Sequence, residues 1–317
     1  MPTHSTTLRG SLAAATAMTA VGSSAAVSPL LTAYPLFAGQ SWRYLAAGLI
    51  LLLPGRRLPP PPRLTIRQRV RVLVLAATGM AGFNVFLLNA VAHADAATVG
   101  AVVGATPVVL AVAGPLLDGR RPSARVAFGA LLTVLGVLLI QSHGSATPTG
   151  LLHAAGALAC ECCFSLIAVP LLPVLGPRRL SALACLTAVP LLAATSALLE
   201  GPRALRLPTP TEALALSYLT LVVTALAFFL WYAGVARLGV DRAGLFAGLI
   251  PIAAALLGAL LGTAPLTPPV LLGAALVGAA VGYGVTTPPR RRPDDTSWAR
   301  RALLSSRQSP NRAHNRG

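Results

Sequence analysis

Charged side chains are scarce in this chain of 317 residues: they make up 10% of it, whereas hydrophobic residues make up 55%. A water-soluble domain carries about 25% charged residues. Mean hydropathy is +0.73, so most of the outer surface must face lipid rather than water. Lysine is absent altogether, and all 25 basic residues are arginines. This bias is typical of a GC-rich genome and indicates no mechanism.

Acidic residues are fewer still, because 8 acidic side chains stand against 25 basic ones and the formal net charge is +17. On a water-soluble protein this excess would indicate a nucleic-acid partner. Here the arginines lie in short separators between apolar segments rather than together on one face. The sequence therefore predicts no nucleic-acid binding, and the partner of the protein surface is the lipid bilayer.

Metal-binding side chains are also sparse, with 4 cysteines and 5 histidines in the whole chain. Three of the cysteines flank Glu161 in "ALACECCFSLIAV" (157–169), but successive residues of a helix point about 100° apart. Only Cys160 and Cys163 share a face, and no second pair of ligands lies nearby in the sequence. We therefore expect no metal site and no cofactor, and we interpret the cysteines as small packing residues.

Apolar segments are abundant, and their length of about 20 residues is that of a helix crossing a bilayer core of about 30 Å. Short separators rich in Pro, Gly and Arg divide ten such segments. The first resembles a signal peptide, but nine further segments follow it, so we interpret it as an uncleaved helix. The predicted spans are 10–31, 34–53, 72–91, 96–117, 126–142, 150–172, 180–199, 212–233, 243–262 and 268–286.

The arginines also predict how the helices are oriented, because short cytoplasmic loops retain positive charge. If residues 1–9 are cytoplasmic, the cytoplasmic side receives every arginine except Arg203, Arg206 and the mid-span Arg43. The sequence thus predicts an all-α integral membrane protein of the bacterial cell membrane, with ten transmembrane helices and both termini cytoplasmic. Residues 287–317 are polar and Arg-rich, and we expect a disordered cytoplasmic tail there.

The two halves of the chain match each other when the sequence is shifted by 144 positions, which places "GAVVGATP" (100–107) over "GLFAGLIP" (244–251). At a shift of about 140, "GSLAAATAMTAVGS" lies over "GLLHAAGALACECC". These matches define a first five-helix repeat at 10–142 and a second at 150–286. Because five is odd, the second repeat must lie inverted in the membrane. Inverted repeats are typical of transporters, with the substrate site between them.

Four stretches carry a resemblance to a known family: "VGSSAAVSP", "SWRYLAAGLILLLPGR", "NAVAHADAATVGAVVGATPVVLAVAGPLL" and the run from "FFLWYAGVARLG" to "LVGAAVG". With the ten spans and the matched glycines and prolines, they resemble the EamA-like branch of the drug/metabolite transporter superfamily over nearly the whole chain. The family usually has a tryptophan late in the first and sixth helices. This chain has Val21 and Glu161 there, so the resemblance carries no substrate assignment.

The resemblance implies two inverted five-helix repeats, with helices 1 to 4 and 6 to 9 around a central cavity and helices 5 and 10 at the periphery. It also implies transport of small metabolites, often outward, and no catalytic chemistry. We therefore predict a secondary carrier that exports a small organic metabolite by alternating access. The sequence leaves open the substrate, the coupling ion and whether a homodimer forms through helices 5 and 10.

Two charged residues lie near the middle of predicted spans, Arg43 in the second and Glu161 in the sixth. A charge there costs several kcal/mol unless it is paired or hydrated, so both should face the protein interior. Arg43 either contacts an anionic group of the substrate, which its planar fork suits, or reaches the membrane surface or nearby carbonyl groups. Glu161 either pairs with Arg43, or carries a proton or binds a substrate amine, or faces lipid.

Uncharged candidates for a binding pocket are Asn84 and Asn89 in the third helix and Phe228 and Trp231 in the eighth, where the two aromatic residues share a face. For the aromatic residues, the alternative is packing or the interfacial belt.

Matched glycines and prolines form a further set of candidates in the fourth and ninth helices. Small residues allow close helix packing, and each proline removes a backbone hydrogen bond. They either fix static packing and a kink or act as hinges. The residues are Gly100, Gly104, Pro107, Gly244, Gly248 and Pro251.

An intramembrane enzyme acting on a lipid-soluble substrate is the main alternative to a carrier. It would need paired carboxylates, a Ser–Lys pair or a histidine cluster within the spans, and the sequence contains no such set. A passive scaffold or sensor is a third class, against which the repeat argues.

Overall fold

The computed structural model describes residues 4–53, 63–141, 145–262 and 265–286. These residues are helical almost throughout, and the β pairing among them is an isolated bridge between Ala94 and Ala146. The tail predicted at 287–317 lies outside the described residues.

Ten helices follow the ten predicted apolar spans one for one within the described residues, which confirms the all-α membrane fold. Their bounds are α1 His4–Val27, α2 Leu36–Leu52, α3 Ile66–His93, α4 Ala96–Leu117, α5 Ala124–Ile140, α6 Pro148–Leu166, α7 Leu172–Leu199, α8 Pro210–Leu238, α9 Val240–Leu260 and α10 Pro268–Val285. Eight of them are long and apolar enough to cross a membrane by length and composition. The other two, α2 and α5, have 17 residues each.

The predicted end of the sixth span was wrong. The sixth span was expected to continue to residue 172, but α6 ends at Leu166. A turn follows, and a single helical turn at the start of α7, from Leu172 to Gly176, precedes the long part of the helix, which starts close to the predicted residue 180. Gly176 then interrupts α7 with a φ of 68°, a left-handed conformation that glycine adopts without strain. The apolar run therefore changes direction within a stretch whose composition looks continuous.

Four helices are irregular near their middle, and the irregularities recur at corresponding places in the two halves. α3 contains a π-helical segment at Ala77–Gly82, and α8 contains one at Leu219–Leu226. α4 is broken at Gly104, between two α-helical pieces, and α9 contains a 3₁₀ segment at Gly244–Gly248. A shift of 144 positions superimposes each irregularity of the first half on its counterpart in the second.

The helices pair in a pattern that exchanging the two halves leaves unchanged. α1 packs against α8 and α9 as α6 packs against α3 and α4, while α2 pairs with α7 and α5 with α10. At one such contact Gly22 of α1 lies against Ile250 of α9, and at its counterpart Cys162 of α6 lies beside Thr106 of α4. This is the pattern of two repeats related by a two-fold axis. The inversion of the second repeat and the cytoplasmic position of both termini remain predictions.

Glycines bring the backbones of α5 and α10 together. A Cβ atom added to Gly136 would lie 2.7 Å from the Gly273 carbonyl oxygen, and one added to Gly129 would lie 3.1 Å from the Ala280 carbonyl oxygen. Larger side chains would hold the two helices apart, so this contact depends on small residues. The outward faces carry exposed leucines such as Leu135, as expected of helices that face lipid.

Two charged side chains, one on α7 and one directly after it, hold α2 at both of its ends. At the amino-terminal end, the Glu200 carboxylate accepts hydrogen bonds from the backbone N–H groups of Phe37 (2.8 Å) and Ala38 (3.0 Å). At the carboxyl-terminal end, Arg178 Nε donates to the Leu51 carbonyl oxygen at 2.6 Å. Each charge is opposite in sign to the end of the helix dipole that it meets, so α2 is fixed along α7.

Candidate functional site

Arg43 lies on α2 and directs its guanidinium toward α8. Its Nε donates a hydrogen bond to Thr224 Oγ1, and its Nη1 donates to Gln40 Oε1 at 3.2 Å. Its Cζ lies 5.4 Å from the centre of the Tyr44 ring. All of these partners are neutral, and Arg43 forms no ion pair with any described carboxylate. The middle of the helix bundle therefore contains a cation whose charge the described residues do not neutralise.

Both π-helical segments place a polar side chain toward this region. In α8 the buried Thr224 hydroxyl donates to the Leu219 carbonyl oxygen at 2.9 Å, five residues earlier. In α3 the Nδ2 of Asn84, just after the π segment, donates to the Met80 carbonyl oxygen at 2.6 Å. π-helical turns are rare and occur frequently at functional sites, which directs attention to these two helices.

Tyr44 links the charged and polar candidates to one another. It is buried, and its ring centroid lies 6.2 Å from that of Phe228. Its hydroxyl is within electrostatic reach of Asn84 and Glu161. The structure thus brings Arg43, Asn84, Glu161 and Phe228 together around a tyrosine that the sequence reasoning missed, although it directly follows Arg43.

Glu161 lies on α6 beside a group of aromatic rings. The Phe164 ring, one turn later, has its centroid 5.1 Å from that of Tyr232 and 5.0 Å from that of Phe228. The Tyr232 hydroxyl donates to the Phe164 carbonyl oxygen at 3.3 Å. The Glu161 carboxylate is half-buried and pairs with no described residue. The ion pair with Arg43 is therefore not formed in this structure.

Two predicted binding residues lie outside this group. Asn89 is on the part of α3 nearer to His93, and its Nδ2 donates back to the Val85 carbonyl oxygen at 2.8 Å. Trp231 is 3% exposed and belongs to the apolar core. Their roles in binding remain predictions, and the geometry assigns Trp231 a packing position.

A narrow cleft with an internal volume of about 40 Å³ lies between the segment after α1, the start of α2 and the first half of α8, and it reaches Arg43. Its lining includes Leu31, Tyr34, Gln40, Arg43 and Leu219. The walls are mainly apolar, with the guanidinium as their charged group. A small amphipathic ligand with an anionic end matches this combination.

The candidate hinge residues lie at the breaks of α4 and α9. Pro107 has no N–H to offer to the Val103 carbonyl oxygen, and the Thr106 hydroxyl donates to that oxygen instead, at 2.7 Å. A Cβ atom added to Gly104 would lie 2.5 Å from Val137 of α5, and one added to Gly248 would lie 2.5 Å from Thr133 of α5. Both breaks thus pack against the same peripheral helix.

The remaining members of the hinge set lie close to these breaks. Gly244 opens the 3₁₀ segment of α9 and packs against Leu110 of α4, and Gly100 lies one turn before the break of α4, beside Gln141. Pro251 lies in the first turn of the α-helical part of α9, which follows the 3₁₀ segment. Whether these positions bend during function remains a prediction.

Comparison with known proteins identifies the family. The model of the EamA-like transporter family matches residues 8–142 and again residues 149–283. The chain is 30% identical over 265 residues to the uncharacterized transporter YetK of Bacillus subtilis, a match that covers 79% of each protein.

The crystal structure of another protein has the same fold. The TM-score is 0.76 and the identity 22%, with 87% of this chain and 96% of that chain covered. The double match of the family model agrees with the two repeats seen in the helix pairing. The chain is a multi-pass membrane protein that belongs to the EamA-like transporter family.

Proposed function

We propose that this transporter is a secondary carrier that exports a small organic metabolite across the cytoplasmic membrane by alternating access. The observation that carries the proposal is the pair of opposite charges, Arg43 and Glu161, which are both within electrostatic reach of Tyr44 and have no charged partner among the described residues. An unpaired charge within the membrane is costly and marks a substrate or ion pathway.

Arg43 would bind the anionic group of the substrate. Arg43 Nε donates to Thr224 and Nη1 donates to Gln40. The remaining N–H groups at the end of the guanidinium can bind a carboxylate or phosphate through two parallel hydrogen bonds. The cleft that reaches Arg43 has apolar walls, so the rest of the substrate would be apolar or aromatic.

Glu161 would serve the coupling step. It would either bind a substrate amine or carry a proton, because a carboxyl group in an apolar environment gains and loses its proton readily when the surroundings change. Its place one turn before Phe164 and within electrostatic reach of Tyr232 supports a direct role in the pathway rather than a place on the lipid face.

Alternating access would use the breaks in α4 and α9. Helices that are interrupted near the membrane midplane at corresponding places of two repeats are typical of carriers that rock one repeat against the other. The shared contact of Gly104 and Gly248 with α5 supports coordinated movement of the two breaks.

An enzyme acting on a lipid-soluble substrate remains the alternative. Such an enzyme needs a nucleophile activated by an adjacent base. Among the described residues, Glu161 has no hydrogen-bonded partner of that kind. The family and the Bacillus subtilis relative are both named for transport.

Counterflow in proteoliposomes tests the proposal. Vesicles loaded with an unlabelled extract of bacterial metabolites should accumulate labelled members of that extract above the level of protein-free vesicles. Glu161→Gln should abolish uptake driven by a pH gradient while leaving the protein folded. Arg43→Gln should abolish accumulation of anionic compounds. Equal accumulation with and without protein would refute a carrier, and accumulation of the exported compound in a deletion strain would support the outward direction.

A further inference from the structure

We propose that Thr224 is a positioning residue for Arg43: it holds the guanidinium so that the end of its fork faces the substrate's anionic group. This inference rests on the proposed binding role of Arg43 and adds to it a residue that acts through the arginine. Neither the sequence pattern nor the family match points to Thr224.

The two hydrogen bonds of Thr224 fix the direction of its hydroxyl proton and therefore of the lone pair that remains. Its single proton is donated to the Leu219 carbonyl oxygen at 2.9 Å, so a lone pair of the oxygen accepts from Arg43 Nε. The side chain is 0% exposed, so water does not compete for either bond. A fully buried acceptor of this kind fixes both the position and the plane of the guanidinium.

Gln40 supplies the second fixed point, because its Oε1 accepts from Arg43 Nη1 at 3.2 Å. Two acceptors, one at Nε and one at Nη1, determine the orientation of the planar group. The Nη2 group and the second hydrogen of Nη1 have no partner among the described residues. These hydrogens form the edge of the fork that would bind a carboxylate or phosphate in bidentate fashion.

The π-helical segment is what turns Thr224 toward Arg43. A threonine in an α-helix bonds the carbonyl group three or four residues earlier, and Thr220, at the start of the π segment, still does so with Leu216 at 2.7 Å. Thr224 instead reaches Leu219, five residues earlier, which the wider π turn permits. The side chain therefore points in a direction that a regular helix would not give it.

The first repeat shows that the π turn does not itself require a hydroxyl group. A shift of 144 positions places Thr224 on Met80, which lies in the π segment of α3 and is fully buried. Methionine offers only a weak acceptor, yet the π turn is present. The π turn therefore forms without the Thr224 hydroxyl. The contact that depends on this hydroxyl is the hydrogen bond that it accepts from Arg43.

The first test is the hydrogen exchange of the Arg43 side chain. Protein labelled with ¹⁵N-arginine is placed in nanodiscs of phosphatidylethanolamine and phosphatidylglycerol, and the Nε–H signal of Arg43 is assigned from its absence in Arg43→Lys. Thr224→Val should speed exchange of this proton at least tenfold, whereas Thr224→Ser, which keeps the acceptor, should leave it slow. Thr220→Val is the matched control, because Thr220 bonds only its own helix.

The second test is the response of the same signal to benzoate, a simple aromatic carboxylate. Benzoate should shift the Arg43 signal in the wild type and in Thr220→Val, and its apparent Kd should rise about tenfold in Thr224→Val. In an Arg43→Lys background, which lacks both the planar fork and the Arg43 signal, benzoate binding is measured by isothermal titration calorimetry, and adding Thr224→Val should not weaken it further.

The outcomes separate the two claims. Unchanged Arg43 exchange in Thr224→Val would overturn the positioning role of Thr224. Faster exchange together with no benzoate response in any variant would support the contact and overturn anion binding by Arg43. If Thr224→Val does not fold, Thr224→Cys makes the same comparison, since a thiol of similar size is a poor acceptor.

Discussion

Removing the Glu200 carboxylate should destabilise the protein through the start of α2. That helix follows Pro35, whose side chain makes no capping hydrogen bond, so the first-turn N–H groups depend on the carboxylate of α7. Replacing a capping side chain by alanine costs about 1 kcal/mol and up to about 2. Loss of a charge at the helix dipole adds about 0.3–1 kcal/mol. For Glu200→Ala we therefore expect the free energy of unfolding to fall by about 2 kcal/mol.

Reversible unfolding in mixed phospholipid–detergent micelles, with SDS as denaturant and circular dichroism as readout, measures this loss. Glu200→Gln should lose about 1 kcal/mol, because it keeps one acceptor oxygen and removes the charge. Arg203→Gln is the matched control, since Arg203 is exposed in the same loop and should change stability by less than about 0.5 kcal/mol. A loss below about 0.5 kcal/mol for Glu200→Ala would refute the capping argument.

Gly136→Ala should force α5 and α10 apart, because the added Cβ would lie 2.7 Å from a backbone oxygen of α10. In the same unfolding assay we expect a loss of about 1–3 kcal/mol, against none for Gly278→Ala, where nothing lies within 4 Å. Thr106→Val should cost about 1–3 kcal/mol, because it leaves a carbonyl group at the break of α4 without its donor; an unchanged stability would mean that water replaces the hydroxyl. Hydrogen bonds from the Ser145 N–H and hydroxyl lower the pKa of the Asp95 carboxyl, so their loop contact should be complete above the usual aspartate pKa and be lost as pH falls through the lowered value. An NMR titration of the Ser145 amide measures this loss, and Asp95→Asn should remove the pH dependence.

The helices and their repeat could be predicted because the helices follow from runs of apolar residues and the repeat follows from matching glycines and prolines in the two halves. Each apolar run approaches the thickness of a bilayer core, and the matched positions of Gly104 and Gly248 fall on the breaks that the structure shows. Arg43 and Glu161 stood out as the charges within spans, and the structure brings both to Tyr44. The kink inside α7 could not be predicted, since the positive φ of Gly176 leaves no mark on hydropathy.

Contacts between distant helices could not be predicted from the same signals. Thr224 lies in the apolar run "LTLVVTALAFF", where helical periodicity indicates only a buried position. Its bond to Arg43 depends on the π turn and on the packing of α2 against α8. Glu200 is 163 residues from Phe37, whereas helical periodicity relates residues three or four apart. The polar contacts of the site and of the caps are products of tertiary packing.

The π-helical segments also bear on the history of the chain. They occupy corresponding positions of α3 and α8, so the wide turn belongs to the duplicated unit itself. Met80 and Thr224 differ at the same place within it. A single ancestral half that already possessed the turn accounts for both copies, and the two copies later diverged in the side chain that the turn presents. On this view the wide turn is what the two copies share, and the side chain at this position, Met80 or Thr224, is where they differ.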